Sequence, residues 1–360
     1  MSLDRIHEDF RLDGRKFHDL GELLSHLDER SFEASALIRA WLDPEGRIEV
    51  RTSGSTGRPK TIVIDRERMR QSALATGEFF GLGPGSKALL CLPLKYIAGK
   101  MMLVRALVLG WHLTLVEPLV RLNLQGLGDF DFAAMIPIQV EANLDQLGLI
   151  KTLIVGGAPV HQELQGRILD LPTRIYATYG MTETITHIAL MPLNRSAGRD
   201  EDREVYRGLP GVSFETDERG CLVIHCKRIS EDPIVTNDLA HCLTQDSFTW
   251  RGRLDGIINS GGLKLVPEEI ERKFSPCVKG RFFVAGLPDE KLGQSLVLVI
   301  EGPKDPDLEE CLRRLQRDPE GSLSKHELPR RYFFLESFAE TGSGKIDRTK
   351  TLELLGSGTL

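Results

Sequence analysis

From residue 47 onward, apolar runs of strand length alternate with stretches of helical character, and that alternation constrains the fold more than any single residue does. RIEVRT (47–52), TIVI (61–64), Ala88–Leu92, His112–Val116, TLIV (152–155) and Arg174–Ala177 read as strands, the last leading into a glycine turn. Helical character lies between them, around Met101–Leu109 and from Val160 to about Asp170. Such a pattern predicts an α/β architecture with buried strands. The first 45 or so residues form a helical preface that ends at the turn Asp43-Pro44-Glu45-Gly46. After Trp250 the texture changes. Charged turns bracket Ile257-Ile258, a helical Glu268–Phe274, strand-like Arg281–Ala285 and Ser295–Ile300, and a polar helix near Asp307–Arg317. This predicts a large N-terminal α/β domain over 1–254 and a small α+β domain over 255–360. The charged turn Arg251-Gly252-Arg253-Leu254-Asp255-Gly256 is the natural joint.

A chain of 360 residues with 41% apolar and 27% charged side chains has material for a sizeable core. Its net charge of −6 argues against a nucleic-acid partner, because no basic excess is available to face a phosphate backbone. The start, MSLDRIHEDFRLDGRK, is charged from its fourth residue and lacks the apolar core of a signal peptide. The apolar run Ala106 to Val116 is shorter than the ~18 residues a membrane helix needs. A cytoplasmic protein without a membrane partner is the expectation. The six cysteines, at 91, 221, 226, 242, 277 and 311, form no CxxC pair, so reduced thiols are expected. Cys221, His225, Cys226, His241 and Cys242 invite a zinc reading. CLVIHC (221–226) reads better as a strand, with Cys221 and His225 on one face and Cys226 on the other.

The strongest chemical signal is Thr52-Ser53-Gly54-Ser55-Thr56-Gly57-Arg58-Pro59-Lys60, between two strands. Its glycines allow close backbone approach, its hydroxyls add donors, and Lys60 adds positive charge, a combination suited to a polyphosphate. It is not a Walker A loop, since a proline precedes the lysine and a strand follows. A Ser/Thr/Gly stretch alone is usually only a turn.

This stretch resembles the phosphate-binding loop of the adenylate-forming superfamily, which holds acyl- and aryl-CoA ligases, peptide-synthetase adenylation domains and luciferases. Five further stretches resemble that family's motifs, in the family's order. Gly156-Gly157-Ala158-Pro159 is similar to the turn bordering adenine, and Tyr176-Ala177-Thr178-Tyr179-Gly180-Met181-Thr182-Glu183-Thr184 to its YGxTE signature. Asp238 falls where the family has TGD, with Asn237 in place of the glycine. Gly252 to Lys264, which includes Arg253, Asp255, Gly261 and Gly262, resembles the hinge motif, and Thr341 to Arg348 the catalytic-lysine motif. Six in order across 52–348 are a specific signal; any one alone is weak.

The resemblance implies ATP and CoA as substrates, Mg2+ as cofactor, and a small aryl or acyl carboxylate as the acid. Lys345 and Thr182 would be catalytic, and Glu183 would bind the metal, a hard oxygen for a hard cation. Thr52, Ser53, Gly54, Ser55, Thr56, Gly57 and Lys60 would hold the phosphates. Gly157, Ala158, Pro159, Thr178, Tyr179 and Gly180 would line the adenine, with Tyr179 stacked on it. Asp238 and Arg253 would fix the ribose, Gly261 and Gly262 would help form the thiol tunnel, and the small α+β domain over 255–360 would be mobile. As isolated residues, Tyr179 would be core, and Glu183, Asp238 and Arg253 surface groups.

The chain departs from the pattern in two places. Its phosphate loop begins at residue 52, so much of the usual N-terminal subdomain is missing, and Tyr96 stands where many members have histidine in a stretch otherwise similar to Leu92–Gly99. The resemblance is greatest to compact o-succinylbenzoate–CoA ligases of menaquinone synthesis, which implies an acid with a second, non-reacting carboxylate. Lys100 and Arg105, on the helical stretch after Gly99, are candidates to hold it. Another aryl- or acyl-CoA ligase, a stand-alone adenylation enzyme loading a carrier protein, and a non-catalytic nucleotide-binding regulator are the alternatives.

Overall fold

The computed structural model describes residues 6–51, 61–317, 323–340 and 346–357. The amino-terminal part begins with a short hairpin, β1 (Arg11–Leu12) and β2 (Arg15–Lys16), followed by α1 (Leu20–Asp28) and α2 (Phe32–Leu42). Asp19 and Ser31 cap these helices by accepting from Glu22 N and Ala34 N. The preface expected to be helical therefore also contributes a strand pair, and β1 extends the main sheet by pairing in parallel with a later strand.

Next come β3 (Arg47–Arg51), β4 (Thr61–Asp65), α3 (Arg66–Phe80), β5 (Lys87–Leu90), α4 (Ile97–Leu109) and β6 (His112–Leu115). They are followed by β7 (Phe130–Met135), α5 (Pro137–Ala142), β8 (Ile150–Val155), α6 (Gln162–Ile168) and β9 (Arg174–Gly180). An antiparallel run closes this part: β10 (His187–Pro192), β11 (Tyr206–Gly208), β12 (Ser213–Thr216), β13 (Cys221–His225), β14 (Ile234–Thr244) and β15 (Ser247–Arg253).

These strands form one sheet in the order β12-β13-β14-β15-β11-β10-β9-β8-β7-β5-β6-β1-β2, with β3 and β4 paired separately. From β9 to β1 the pairings are parallel, and from β9 to β12 antiparallel. The central parallel strands β5, β7 and β8 are covered on both faces, which is why they read as apolar runs. Ala88, Leu90, Phe132 and Ala134 face a core shared with α1 to α4, whereas Leu89, Cys91, Ala133 and Met135 face one shared with α5 and α6.

Beyond β15 lie β16 (Ile258–Ser260), β17 (Leu263–Leu265), α7 (Pro267–Phe274), β18 (Phe282–Asp289), β19 (Gly293–Glu301), α8 (Leu308–Arg317), β20 (Arg331–Leu335) and α9 (Arg348–Ser357). The sheet order is β17-β16-β19-β18, with β20 added in parallel to β19. Val284, Leu296, Leu298 and Ile300 pack with α7 and α8, while Phe283, Val297 and Val299 pack on the other face with Leu352 and Leu355 of α9.

Two sequence expectations change. Arg174–Ala177 does not turn at the following glycine: β9 continues through Tyr179 to Gly180, because every residue from Tyr176 to Gly180 pairs with β10, whose Ile188 bulges between His187 and Ala189. Nor are all thiols reduced. Cys277 and Cys311 form a disulfide with Cα atoms 5.7 Å apart, joining the end of α7 to α8. A separation of 34 residues carries no local signature, so only the tertiary approach reveals it. Among the described residues no helix is long and apolar enough to cross a membrane.

Candidate active site

Strands β7, β8 and β9 run in parallel register, so their carboxyl ends lie side by side, where open α/β sheets place ligands. The turn Gly156-Gly157-Ala158-Pro159 leaves β8 there, and Gly156 N donates to Met135 O of the neighbouring strand at 3.2 Å. A Cβ on Gly156 would stand 2.4 Å from Thr178 Oγ1, so only glycine lets the turn lie this close to β9. Thr178 in turn donates to Val155 O at 3.2 Å. Residues 156–159 and 178–180, assigned to one ligand moiety from sequence, thus come together.

Thr182 and Glu183 sit in the loop joining β9 to β10. Thr184, fully buried, ties this loop: its hydroxyl accepts from Met181 N at 2.8 Å and donates to Thr186 O at the same distance. Ile185 adopts φ +67°, a left-handed conformation that a β-branched residue resists, and is itself buried. Glu183 stays exposed at the tip, and among the described residues its carboxylate engages no partner. Hard oxygen and open position together fit a hydrated divalent cation.

Asp238 and Arg253 are cross-strand partners on β14 and β15. Their charged groups approach to 3.6 Å, but the guanidinium spends its fork on Asp255, at 3.1 and 3.0 Å. The Asp255 bond holds the Arg253 guanidinium above its usual range and the Asp255 carboxyl below its own. Asp238 is only 6% exposed and is oriented by Tyr179, whose hydroxyl donates to Oδ2 at 2.6 Å. Burial, then the adjoining carboxylate, pushes the Tyr179 phenol far up, so it remains a donor. The Tyr179 ring is buried edge-on against Phe248 at 5.1 Å and beside Tyr206 at 5.7 Å. Supporting Asp238 is a task that sequence reasoning did not give it.

Gly261 and Gly262 form the two-residue turn between β16 and β17, both with positive φ, as such hairpins require. Thr52, Ser53, Gly54, Ser55, Thr56, Gly57, Lys60 and Lys345 lie outside the described residues.

Lys100 and Arg105 are not brought together. Five residues along α4 turns a side chain by about 140°. Lys100 is half-buried, and burial lowers its ammonium against the weak pull of Glu33 on α2. Arg105 is 1% exposed. Its Nε donates to Thr76 Oγ1 at 3.2 Å and its Nη2 to Thr186 Oγ1 at 3.3 Å, with His187 Nδ1 at 3.4 Å. No carboxylate among the described residues pairs with it, and burial pushes it down to about 9. His187, equally buried, is driven well below its ordinary value by burial and by Arg105, so a neutral ring faces the cation. Thr76, Thr186 and His187 were missed from sequence. A histidine opening the apolar strand HIALMP was the signal available.

Comparison with known proteins places these residues among relatives. The family model described as AMP-binding enzyme matches residues 51–215. The chain is 39% identical to a protein from Dyadobacter fermentans described as acyl-CoA synthetase (AMP-forming)/AMP-acid ligase II-like. Its crystal structure aligns over 91% of this chain and 95% of that one, with a TM-score of 0.59. It is 27% identical to the 2-succinylbenzoate–CoA ligase of Listeria monocytogenes over 91% of this chain and 74% of that protein. The o-succinylbenzoate coenzyme A synthetase of Bacillus subtilis, solved with ATP and magnesium, shares the fold at 18% identity, covering 93% and 82% of the two chains with a TM-score of 0.70.

Proposed function

Because this chain belongs to the AMP-binding enzyme family, we propose that it is an adenylate-forming acid–CoA ligase whose acid is o-succinylbenzoate or a close dicarboxylate. In the first half-reaction a carboxylate oxygen of the acid attacks the α-phosphorus of ATP, the bond to the β-phosphate breaks, and pyrophosphate leaves. In the second, the thiol of CoA loses its proton and its sulfur attacks the acyl carbon, and AMP departs with the bonding electrons.

The chain's own residues divide this work. Asp238, held by Tyr179, accepts from the ribose hydroxyls beside Arg253. The turn at 156–159 and the end of β9 border the base. Thr182 would donate to the phosphate, and Glu183, whose carboxylate has no partner among the described residues, would hold a magnesium ion, which when bound neutralises phosphate charge. Lys345 would bridge the acid and the α-phosphate. Residues 1–254 and 255–360 act as two units that re-orient about Asp255 between the half-reactions.

Arg105 is the observation that carries the choice of acid. A guanidinium buried to 1% exposure without a carboxylate partner is costly unless a ligand supplies one. The second carboxylate of o-succinylbenzoate would do so, whereas benzoate and fatty acids have none. The names of the relatives from Listeria and Bacillus agree with this choice. The test is ATP–pyrophosphate exchange across o-succinylbenzoate, benzoate and fatty acids, with mass-spectrometric detection of acyl-AMP and acyl-CoA. Exchange with o-succinylbenzoate above all others is expected. Exchange with benzoate or a fatty acid but none with o-succinylbenzoate would end the assignment.

A further inference from the structure

Helix α7 carries Glu268 and Glu271 one turn apart, and both face a single arginine. Arg348, the first residue of α9, donates from Nη2 to Glu271 Oε2 at 2.9 Å, while its Nη1 stands 3.8 Å from Glu268 Oε1. The guanidinium also lies over the Phe283 ring, 5.5 Å from its centroid. Glu271 uses its other oxygen to accept from Val284 N at 2.8 Å. Both carboxylates are largely covered, with side chains 14% and 17% exposed. Two carboxyl groups therefore share one guanidinium away from bulk water, and burial pushes Glu271 up to about 7 against the pull of Arg348.

Glu268 differs from its neighbour in one respect. Its Oε2 is buried and has no hydrogen-bond partner among the described residues. That oxygen lies only 2.5 Å from where a Cβ on Gly252 would stand, and Oε1 lies 3.8 Å from the same point on Gly256. The carboxylate is thus pressed against both ends of the turn Gly252–Gly256, which joins the two sheets. The same helix grips the strand entering that turn, through Glu269 on Arg251 Nε at 2.5 Å and Arg272 Nη1 on Trp250 O at 2.9 Å.

A helix clamped this firmly has little need of a third, half-satisfied carboxylate at the joint. A carboxyl oxygen left unpaired in a covered site is costly, and its natural resolution is a partner gained in a second arrangement. We infer that Glu268, Arg348 and Glu271 form a latch set against the joint: Arg348 is a positioning residue that ties the start of α9 to α7, and Glu268 trades contact with Arg348 for a backbone N–H of residues 252–256 as the two units re-orient. In sequence, Arg348 follows Lys345 by three residues. The inference rests on the two-step ligase reading given above.

The experiment uses the full chain and its Glu268→Gln, Glu271→Gln and Arg348→Lys variants. Adenylation is read by ATP–pyrophosphate exchange with the acid that the wild type activates fastest, and thioester formation from the corresponding synthetic acyl-AMP and CoA. Glu268→Gln is expected to shift the ratio of the two rates at least about tenfold while KM for ATP stays within about twofold. Arg348→Lys keeps the charge but cannot span two carboxylates, so it should shift the ratio in the same direction. Glu271→Gln, an isosteric change, should fold and give a smaller shift. Equal losses in both half-reactions, or no change, in variants that keep the wild-type circular dichroism overturn the latch alone. Should Glu268→Gln not fold, Arg348→Lys decides by the same criterion. A wild type active in neither half-reaction overturns the ligase reading and the latch with it.

Discussion

The hydroxyl of Tyr179 and the carboxylate of Asp238, 59 residues apart in the chain, meet in a 2.6 Å hydrogen bond. It couples the end of β9 to the middle of β14 across the antiparallel half of the sheet. A carboxylate fixed by one oxygen presents the other in a defined direction, which is what recognition of a vicinal diol requires.

Replacing Tyr179 with Phe removes that donor and leaves a buried carboxylate oxygen unmet. A loss of about 1.5–3 kcal/mol in folding stability is expected, measured by urea denaturation. KM for ATP should rise while kcat changes less. The wild type should also discriminate against 2′- and 3′-deoxy-ATP more strongly than the variant does. Equal discrimination by the two proteins would detach Asp238 from the ribose.

Arg105→Met should separate stability from function. Removing a buried cation that lacks a counter-ion, and filling its volume with an apolar chain, should leave stability unchanged or raise it by roughly 1–4 kcal/mol. The same change should raise KM for o-succinylbenzoate at least about tenfold, since a charge-assisted pair would be lost. A variant that is less stable yet unaltered in KM would show the guanidinium to be structural.

Reduction of Cys277–Cys311 should loosen the carboxyl-terminal unit in particular. Closing a chain segment of 34 residues stabilises by roughly 2–4 kcal/mol. Thermal scans with and without dithiothreitol, set beside the Cys277→Ala/Cys311→Ala pair, should show the same lowered transition. A wild type indifferent to reductant would mean that the bond contributes little.

Glu271 gives stability a pH dependence of predictable sign. Its folded value, about 7, lies above the ordinary 4.5, so between these limits the folded state binds more protons than the unfolded. Stability therefore falls as pH rises from 4.5 through 7 and levels off above, by roughly 3 kcal/mol for this group. Glu271→Gln, facing the same Arg348 and Glu268, should flatten that stretch of the profile. An unchanged slope from calorimetry at pH 5 to 8 would place the titration elsewhere.

What could be read from sequence follows the range of the interactions involved. TLIV declared itself as a strand because both its faces are buried, TIVI because its β-branched run turns Ile62 and Ile64 to the core while Thr61 and Val63 face out, and GGAP could be placed after its strand because the turn is local. Tyr179-Gly180 was misjudged as a turn because glycine is locally ambiguous, and only pairing with β10 keeps it extended. The Tyr179–Asp238 bond, the Cys277–Cys311 bridge and the Arg105–His187 contact join positions 59, 34 and 82 apart, and no local pattern encodes them. Lys100 and Arg105 looked interchangeable on a linear chain, and the helical turn between them separates their surroundings. The phosphate-loop and lysine motifs, the most legible in sequence, lie outside the described residues.

The left-handed Ile185 has a mechanical corollary. Its buried side chain, its positive φ and the Thr184 hydroxyl bonds to Met181 and Thr186 tie residues 181–186 together. Glu183 at one end and Thr186 and His187, which touch Arg105, at the other are then parts of one lever. A displacement of the guanidinium by an arriving acid would be transmitted to Glu183, the proposed metal ligand, within four residues, with no rearrangement of the sheet.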